Sequence, residues 1–110
     1  MLSFSKKNDI GIIKVNNEQL DADTVDLFRK QIPNHINDHH QYILDMKSVN
    51  FIDSSGLGAL LHLHRTFEFK GCKMKVVINE PQVLSIFRLV KITEVLDIYP
   101  SIKDAIDDFE

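Results

Sequence analysis

The sequence predicts a single α/β domain over residues 1–110, with a mixed, mostly parallel β-sheet, an antiparallel N-terminal edge and packed α-helices. Three observations carry this expectation. Short apolar runs alternate with segments whose apolar residues recur every three or four positions, the pattern of parallel strands joined by helices. Asn8-Asp9 between two strand-like runs near the N-terminus marks a hairpin, and a hairpin brings an antiparallel edge. A chain of 110 residues, 44% of them hydrophobic, can build one core but has no room for a separate cofactor-binding domain.

Leu2, Phe4 and Lys6 alternate with polar residues as in an edge strand. Ile10 to Val15 forms its partner, with Gly11 placed for a bulge. Asn16 to Asp21 reads as a polar turn ending in a helix cap. Asp21 and Asp23 are both able to accept from the first free backbone amides, and Asp23 with Asp26 imitates a capping box. Val25, Phe28, Ile32 and Ile36 are spaced 3, 4 and 4 along one helix face. Pro33 disturbs the later turns of that helix, and Asn34 to Gln41 is a polar connection. Tyr42 to Met46 is a largely buried strand, Lys47 to Asn50 a turn, and Phe51-Ile52 resumes apolar packing. Leu57, Leu60, Leu61 and Phe67 place a helix from Ser55, with Gly71 just past its end. Met74 to Ile78 is the next strand. Pro81 opens a helix whose inner face is Val83, Leu84, Ile86, Phe87 and Val90. Val95 to Tyr99 supplies a last strand, and Ser101 caps a terminal helix carrying Ile102, Ala105, Ile106 and Phe109. Strand-to-helix loops of such a sheet gather at one end, where sites are usually built.

Composition narrows the function. A net charge of −3 leaves no electrostatic footprint for direct nucleic-acid binding or for an anionic membrane. No apolar run approaches the ~20 residues of a membrane span, and Met1 to Lys7 lacks a signal-peptide core. Cys72 is the single cysteine, so no intrachain disulfide forms. The expectation is a soluble, cytoplasmic domain.

Phe51-Ile52-Asp53-Ser54-Ser55-Gly56-Leu57-Gly58 is the most informative stretch. An apolar strand runs into a carboxylate, two hydroxyls and a glycine, then an amphipathic helix. One reading is structural: Ser54 or Ser55 caps the helix, and Gly56 and Gly58 permit close backbone approach. The other is a phosphoacceptor. A hydroxyl at a helix N-terminus sits at the positive dipole end, where a phosphate meets backbone N–H donors without disturbing the fold. Phosphorylation there adds about −1.5 to −2 charge at one point.

These residues resemble a known family. Ile43-Leu44-Asp45-Met46 and Val49 through Gly58 are similar to the phosphorylation-site segment of STAS domains, specifically the bacterial anti-sigma factor antagonists. Leu20-Asp21 with Thr24 is similar to the family's shorter motif. Gly71 to Ile78, Pro81 to Phe87 and Ile98 to Ala105 match the segments that follow, so the resemblance spans essentially the whole chain. It implies a STAS-like fold and a binding module that performs no chemistry and needs no cofactor or metal. It implies phosphorylation at Ser54 and partner binding through Asp21, Asp53, Ser54, Ser55, Gly56, Leu57 and Gly58. The partners it implies are an anti-sigma factor with serine kinase activity and a metal-dependent serine phosphatase. The unmodified form would bind the anti-sigma factor and release the sigma factor, and phosphorylation would switch binding off. The alternative is a STAS regulatory subunit of another partner-switching, secretion or transport system. Two positions depart from the family pattern: Glu18 and Lys91 stand where glycines are common.

Competing chemistries find little support. Asp21-Ala22-Asp23-Thr24-Val25 imitates a phosphatase nucleophile motif, but the residues before it are not an apolar strand. A Gly-x-Ser-x-Gly elbow is missing its first glycine, and Leu61 stands where a dinucleotide fingerprint needs its third. His39 and His40 are adjacent rather than spaced as helical i, i+4 ligands, and His62 and His64 point to different helix faces. With His35 they read as solvated loop and partly exposed helix residues rather than a metal site. Cys72 reads as an inert thiol, and Asp104, Asp107, Asp108 and Glu110 as a solvated helix face. His62, Arg65 and Thr66 would add polar contacts at the rim of a binding surface.

Overall fold

Asn8 and Asp9 both adopt left-handed backbone, φ 54° and 63°, the conformation a two-residue type I′ hairpin demands. In the computed structural model, which describes residues 2–32, 36 and 39–110, this turn joins β1 (Leu2–Lys7) to β2 (Ile10–Val15). The register is continuous from Leu2↔Val15 to Lys7↔Ile10, with Lys6 opposite Gly11, so Gly11 forms no bulge. Its missing side chain has another cause: a Cβ there would lie 2.7 Å from the Tyr42 ring.

After β3 (Gln19–Leu20) comes α1 (Val25–Gln31), then β4 (Gln41–Asp45), β5 (Phe51–Ile52) and α2 (Ser54–Phe69). β6 (Lys73–Val77), α3 (Pro81–Leu89), β7 (Asp97–Tyr99) and α4 (Ile102–Phe109) complete the order. The main sheet runs β1-β2-β4-β6-β7. Its first pair is antiparallel and the rest are parallel, as the sequence pattern predicts.

Alternation along the strands sends neighbouring residues to opposite faces. Ile13, Leu44 and Val76 join Phe28, Leu60, Phe67, Val83 and Phe87 in the main core, beneath α1, α2 and α3. Ile12, Ile43 and Val77 face the other way and meet Ala105 and Ile106 of α4 in a smaller core. α3 turns Val83 and Phe87 inward but leaves Val90 half-exposed. That residue lies past the helix end, not on its inner face. Ser101 caps α4 as expected, its Oγ accepting from the Asp104 amide at 3.1 Å.

Gln19-Leu20, a turn by sequence pattern, is a strand. It pairs parallel with β5, Gln19 opposite Phe51 and Leu20 opposite Ile52. Two residues each are too few to show a period. The Asn50 amide also donates to the Glu18 carbonyl at 2.8 Å, so Glu18 serves through its backbone. Lys91 occupies left-handed space, φ 62°, the conformation that explains why glycine suits that turn. Gly71, at φ 75°, ends α2 in the same way. Pro33, Asn34, His35, Asn37 and Asp38 lie outside the described residues; Ile36 is buried.

Candidate functional site

Parallel pairing brings the C-terminal ends of β2, β4, β6 and β7 to one end of the sheet, with Asp45 beside Val77 and Val77 beside Tyr99. The small β3–β5 ladder extends from this end and brings two acidic residues together. The Asp53 amide donates to the Leu20 carbonyl at 3.3 Å, so Asp53 continues the ladder beside the Leu20-Asp21 step.

Asp53 caps a helix, and Asp21 closes the turn that leads into one. Asp21 Oδ1 accepts from the amides of Asp23 (3.1 Å) and Thr24 (3.2 Å), and the Asp21 amide donates to Thr24 Oγ1 at 2.9 Å. This reciprocal pair has the pattern of a capping box but closes the turn before α1, whose own N-cap residue, Thr24, makes no side-chain cap bond. Asp23 and Asp26, the box read from spacing, do not form it; Asp26 lies 3.7 Å from Arg29 instead.

Asp53 is extended (φ −112°, ψ −173°) and its Oδ1 accepts from the Gly56 amide at 3.0 Å. The Leu57 amide donates to the Asp53 carbonyl. Asp53, not Ser54 or Ser55, is therefore the cap. Ser54 becomes the first residue of α2, exposed, and Ser55 the second, half-buried. The first amides of a helix have no intrahelical acceptor. With Gly56 and Leu57 satisfied by Asp53, those of Ser54 and Ser55 face the helix tip.

Gly56 and Gly58 do different things. A Cβ on Gly56 would collide with the Leu20 carbonyl oxygen and with Ile52, so glycine is what lets α2 start against β3. Gly58 is exposed, and a Cβ there would meet nothing within 4 Å. Of the two readings its small size allows, close approach of a partner or tight packing on the sheet, the second is not its role. Leu57 packs against the main core as a partly buried residue.

Beside Ser55 a groove opens between α1 and α2. A depression of about 540 Å³ is lined by Ala22, Val25, Arg29, Ser55, Gly58 and His62. It continues past Arg29 and His62 to Thr66, over a floor that includes Phe28, Ala59 and Leu63. Sequence spacing raised His62 and Thr66 as rim residues; Arg29 had no signal, because helix phase alone does not reveal that α1 packs beside α2.

A larger cavity, about 620 Å³, lies away from Ser54 against Lys73, Lys75, Asp97 and Asp108. Lys75, buried to 7% exposure, is a residue that sequence pattern missed. Its Nζ bonds Asp108 Oδ2 at 2.6 Å and Tyr99 Oη at 2.9 Å, and Tyr99 Oη also bonds Asp108. Asp108 is exposed with the rest of the acidic face yet is also tied to Lys75 and Tyr99, and Asn8 Nδ2 donates to Glu110. The hydrogen bonds from Lys75 and Tyr99 hold the Asp108 carboxyl below its usual range. Burial lowers the Lys75 pKa, but the bonds to Asp108 and Tyr99 outweigh it and leave the value raised. The Tyr99 hydroxyl is raised by burial and by Asp108. This cluster fastens α4 to the sheet and does not reach the Ser54 end.

Among the described residues no group of three His, Cys, Asp or Glu side chains is placed to hold a metal ion. No described helix is long and apolar enough to cross a membrane. Cys72 is buried among backbone carbonyls, its Sγ 3.6 Å from that of His39.

A family model for the STAS domain matches residues 2–105. An anti-sigma F factor antagonist of Paenibacillus polymyxa is 29% identical over 101 residues, covering 90% of this chain and 86% of the relative. An anti-sigma factor antagonist from Mycobacterium paratuberculosis superposes with a TM-score of 0.87 at 19% identity, covering 98% of this chain and 92% of that one. The Bacillus cell fate determinant SpoIIAA in its phosphorylated form superposes with a TM-score of 0.70 at 19% identity, over 100% of both chains. At such identities the superpositions show a shared fold. The two antagonists carry the names of regulators, not of enzymes.

Proposed function

The chain belongs to the STAS domain family, and we propose that it acts there as an anti-sigma factor antagonist switched at Ser54. In its unmodified form it binds an anti-sigma factor that is also a serine kinase, and so releases a sigma factor. That kinase transfers the γ-phosphoryl group of ATP to the Ser54 hydroxyl, and a metal-dependent phosphatase returns the hydroxyl. The chain supplies an acceptor and a docking surface formed by Asp21, Asp53 and the start of α2; its partners supply the chemistry. It works in the cytoplasm.

One observation carries the reading: Ser54 is exposed at the tip of α2 while Asp53 does the capping. The hydroxyl is accessible to an incoming enzyme and its modification leaves the cap in place. A phosphate there is favoured by the helix dipole and by the amides at the tip, so the domain stays folded. The partner meets a different surface, because like charges brought together at an interface cost several kcal/mol. The name of the Paenibacillus relative supports the partner class.

The test is phosphorylation of the full chain by an anti-sigma factor kinase with ATP, read by intact mass and fragment analysis. One phosphate on Ser54, and none on Ser54→Ala, is expected. A phosphate confined to Ser55 overturns the residue assignment. No phosphate at all favours the other reading, a STAS regulatory subunit of a transport or secretion system.

A further inference from the structure

Gly58 is the fifth residue of α2, and its φ is not among the positive ones. A glycine inside a helix is less favourable than alanine. At Gly56 the collision with the Leu20 carbonyl explains the choice; at Gly58 a Cβ meets open space. Among the described residues nothing calls for a bare backbone at this point.

The position of Gly58 points outward for a reason. It lies on the lip of the α1–α2 groove with Ser55 and His62 of α2, and Arg29 of α1 lines the same groove. Arg29 is 61% exposed and its ion pair with Asp26, itself 64% exposed, spans 3.7 Å. Such a pair contributes little and yields readily to a carboxylate that approaches the guanidinium with two hydrogen bonds. The groove is also continuous with Ser55, next to the proposed acceptor.

We propose that this groove seats a segment of the anti-sigma factor whose backbone passes close over Gly58 and whose carboxylate pairs with Arg29. The proposal rests on the antagonist reading above and adds to it a surface, a partner charge and a residue that sets specificity. Glycine at position 58 then trades helix stability for the approach of a partner's main chain. The Asp21 and Asp53 end of the surface and the Arg29 end carry opposite charge, so the partner docks in one orientation.

The test titrates the full chain with the anti-sigma F factor of Paenibacillus polymyxa, the target that the sequence relative's name gives. Wild type, Gly58→Ala, Arg29→Glu and Arg29→Lys are each titrated and melted. Gly58→Ala is expected to raise the thermal midpoint by about 4 °C and yet weaken binding at least tenfold. Arg29→Glu is expected to keep the wild-type midpoint and weaken binding by a similar factor, with Arg29→Lys in between. A Gly58→Ala chain that melts lower would show an internal demand for glycine and overturn the proposal. Wild-type affinity in Gly58→Ala and Arg29→Glu would overturn the groove while leaving the antagonist reading intact. A wild-type chain that neither binds the factor nor takes phosphate on Ser54 would overturn both.

Discussion

Asp53 gives its carboxylate to the Gly56 amide at 3.0 Å, and the Ser54 hydroxyl takes no part in that cap. Division of labour between adjacent residues is what makes a switch feasible: a serine that capped its own helix would lose the cap on phosphorylation. Loss of Asp53 should therefore act on stability. Asp53→Ala is expected to cost about 1 kcal/mol, seen as a thermal midpoint lower by about 4 °C. Asp53→Asn, which keeps an acceptor oxygen, should hold most of that; equal melting of Asp53→Ala and wild type would refute the capping role. That Asp53 and Ser54 stand at a helix start was legible in the sequence, because an acidic residue and hydroxyls before an apolar helical stripe are a local signal. The sequence left the cap open between Asp53's neighbours, because three consecutive residues able to cap are separated only by backbone angles. Gly56 and Gly58 look alike in the sequence, and only the position of the Leu20 carbonyl tells them apart.

At the scale of elements, the strands and helices with several turns of periodicity were legible, and the β1–β2 hairpin was legible from Asn8-Asp9. The β3–β5 ladder was not, since its two-residue strands are defined by pairing with each other. Nor was the fastening of α4. Four acidic residues near a C-terminus read as a solvated face until Lys75, 33 positions away from Asp108, is placed beneath one of them. That fastening should show in pH dependence. Asp108 is held below the usual carboxylate range, so its contribution is present above about pH 4 and is lost as pH falls through its folded value. Lys75 and Tyr99 are both raised. Their contribution is present below about pH 10 and is lost as pH rises through their folded values. Urea midpoints between about pH 2 and 7 should fall on the acid side for wild type, and that slope should be shallower for Asp108→Asn. Parallel curves for the two would mean that Asp108 does not link α4 to the sheet.

For the whole molecule, two cores lie on opposite faces of one sheet, and the candidate site lies at the surface over the main one, whose Phe28, Ala59 and Leu63 floor the groove. Ser54, Asp21 and the groove stand on loops and helix surfaces at the end of the strands, so charge can change there while the buried residues keep their packing. The account therefore requires a switch in affinity without a switch in fold. An added phosphate that meets an acidic or apolar partner surface should weaken docking by a hundredfold or more, about 2.7 kcal/mol. The direct measurement is the affinity of one anti-sigma factor kinase for the unmodified chain and for the chain phosphorylated on Ser54, with thermal melting of both forms. A loss of a hundredfold or more with closely similar melting curves is the expected result. Equal affinities, or a phosphorylated chain that has lost its cooperative melting, would contradict it.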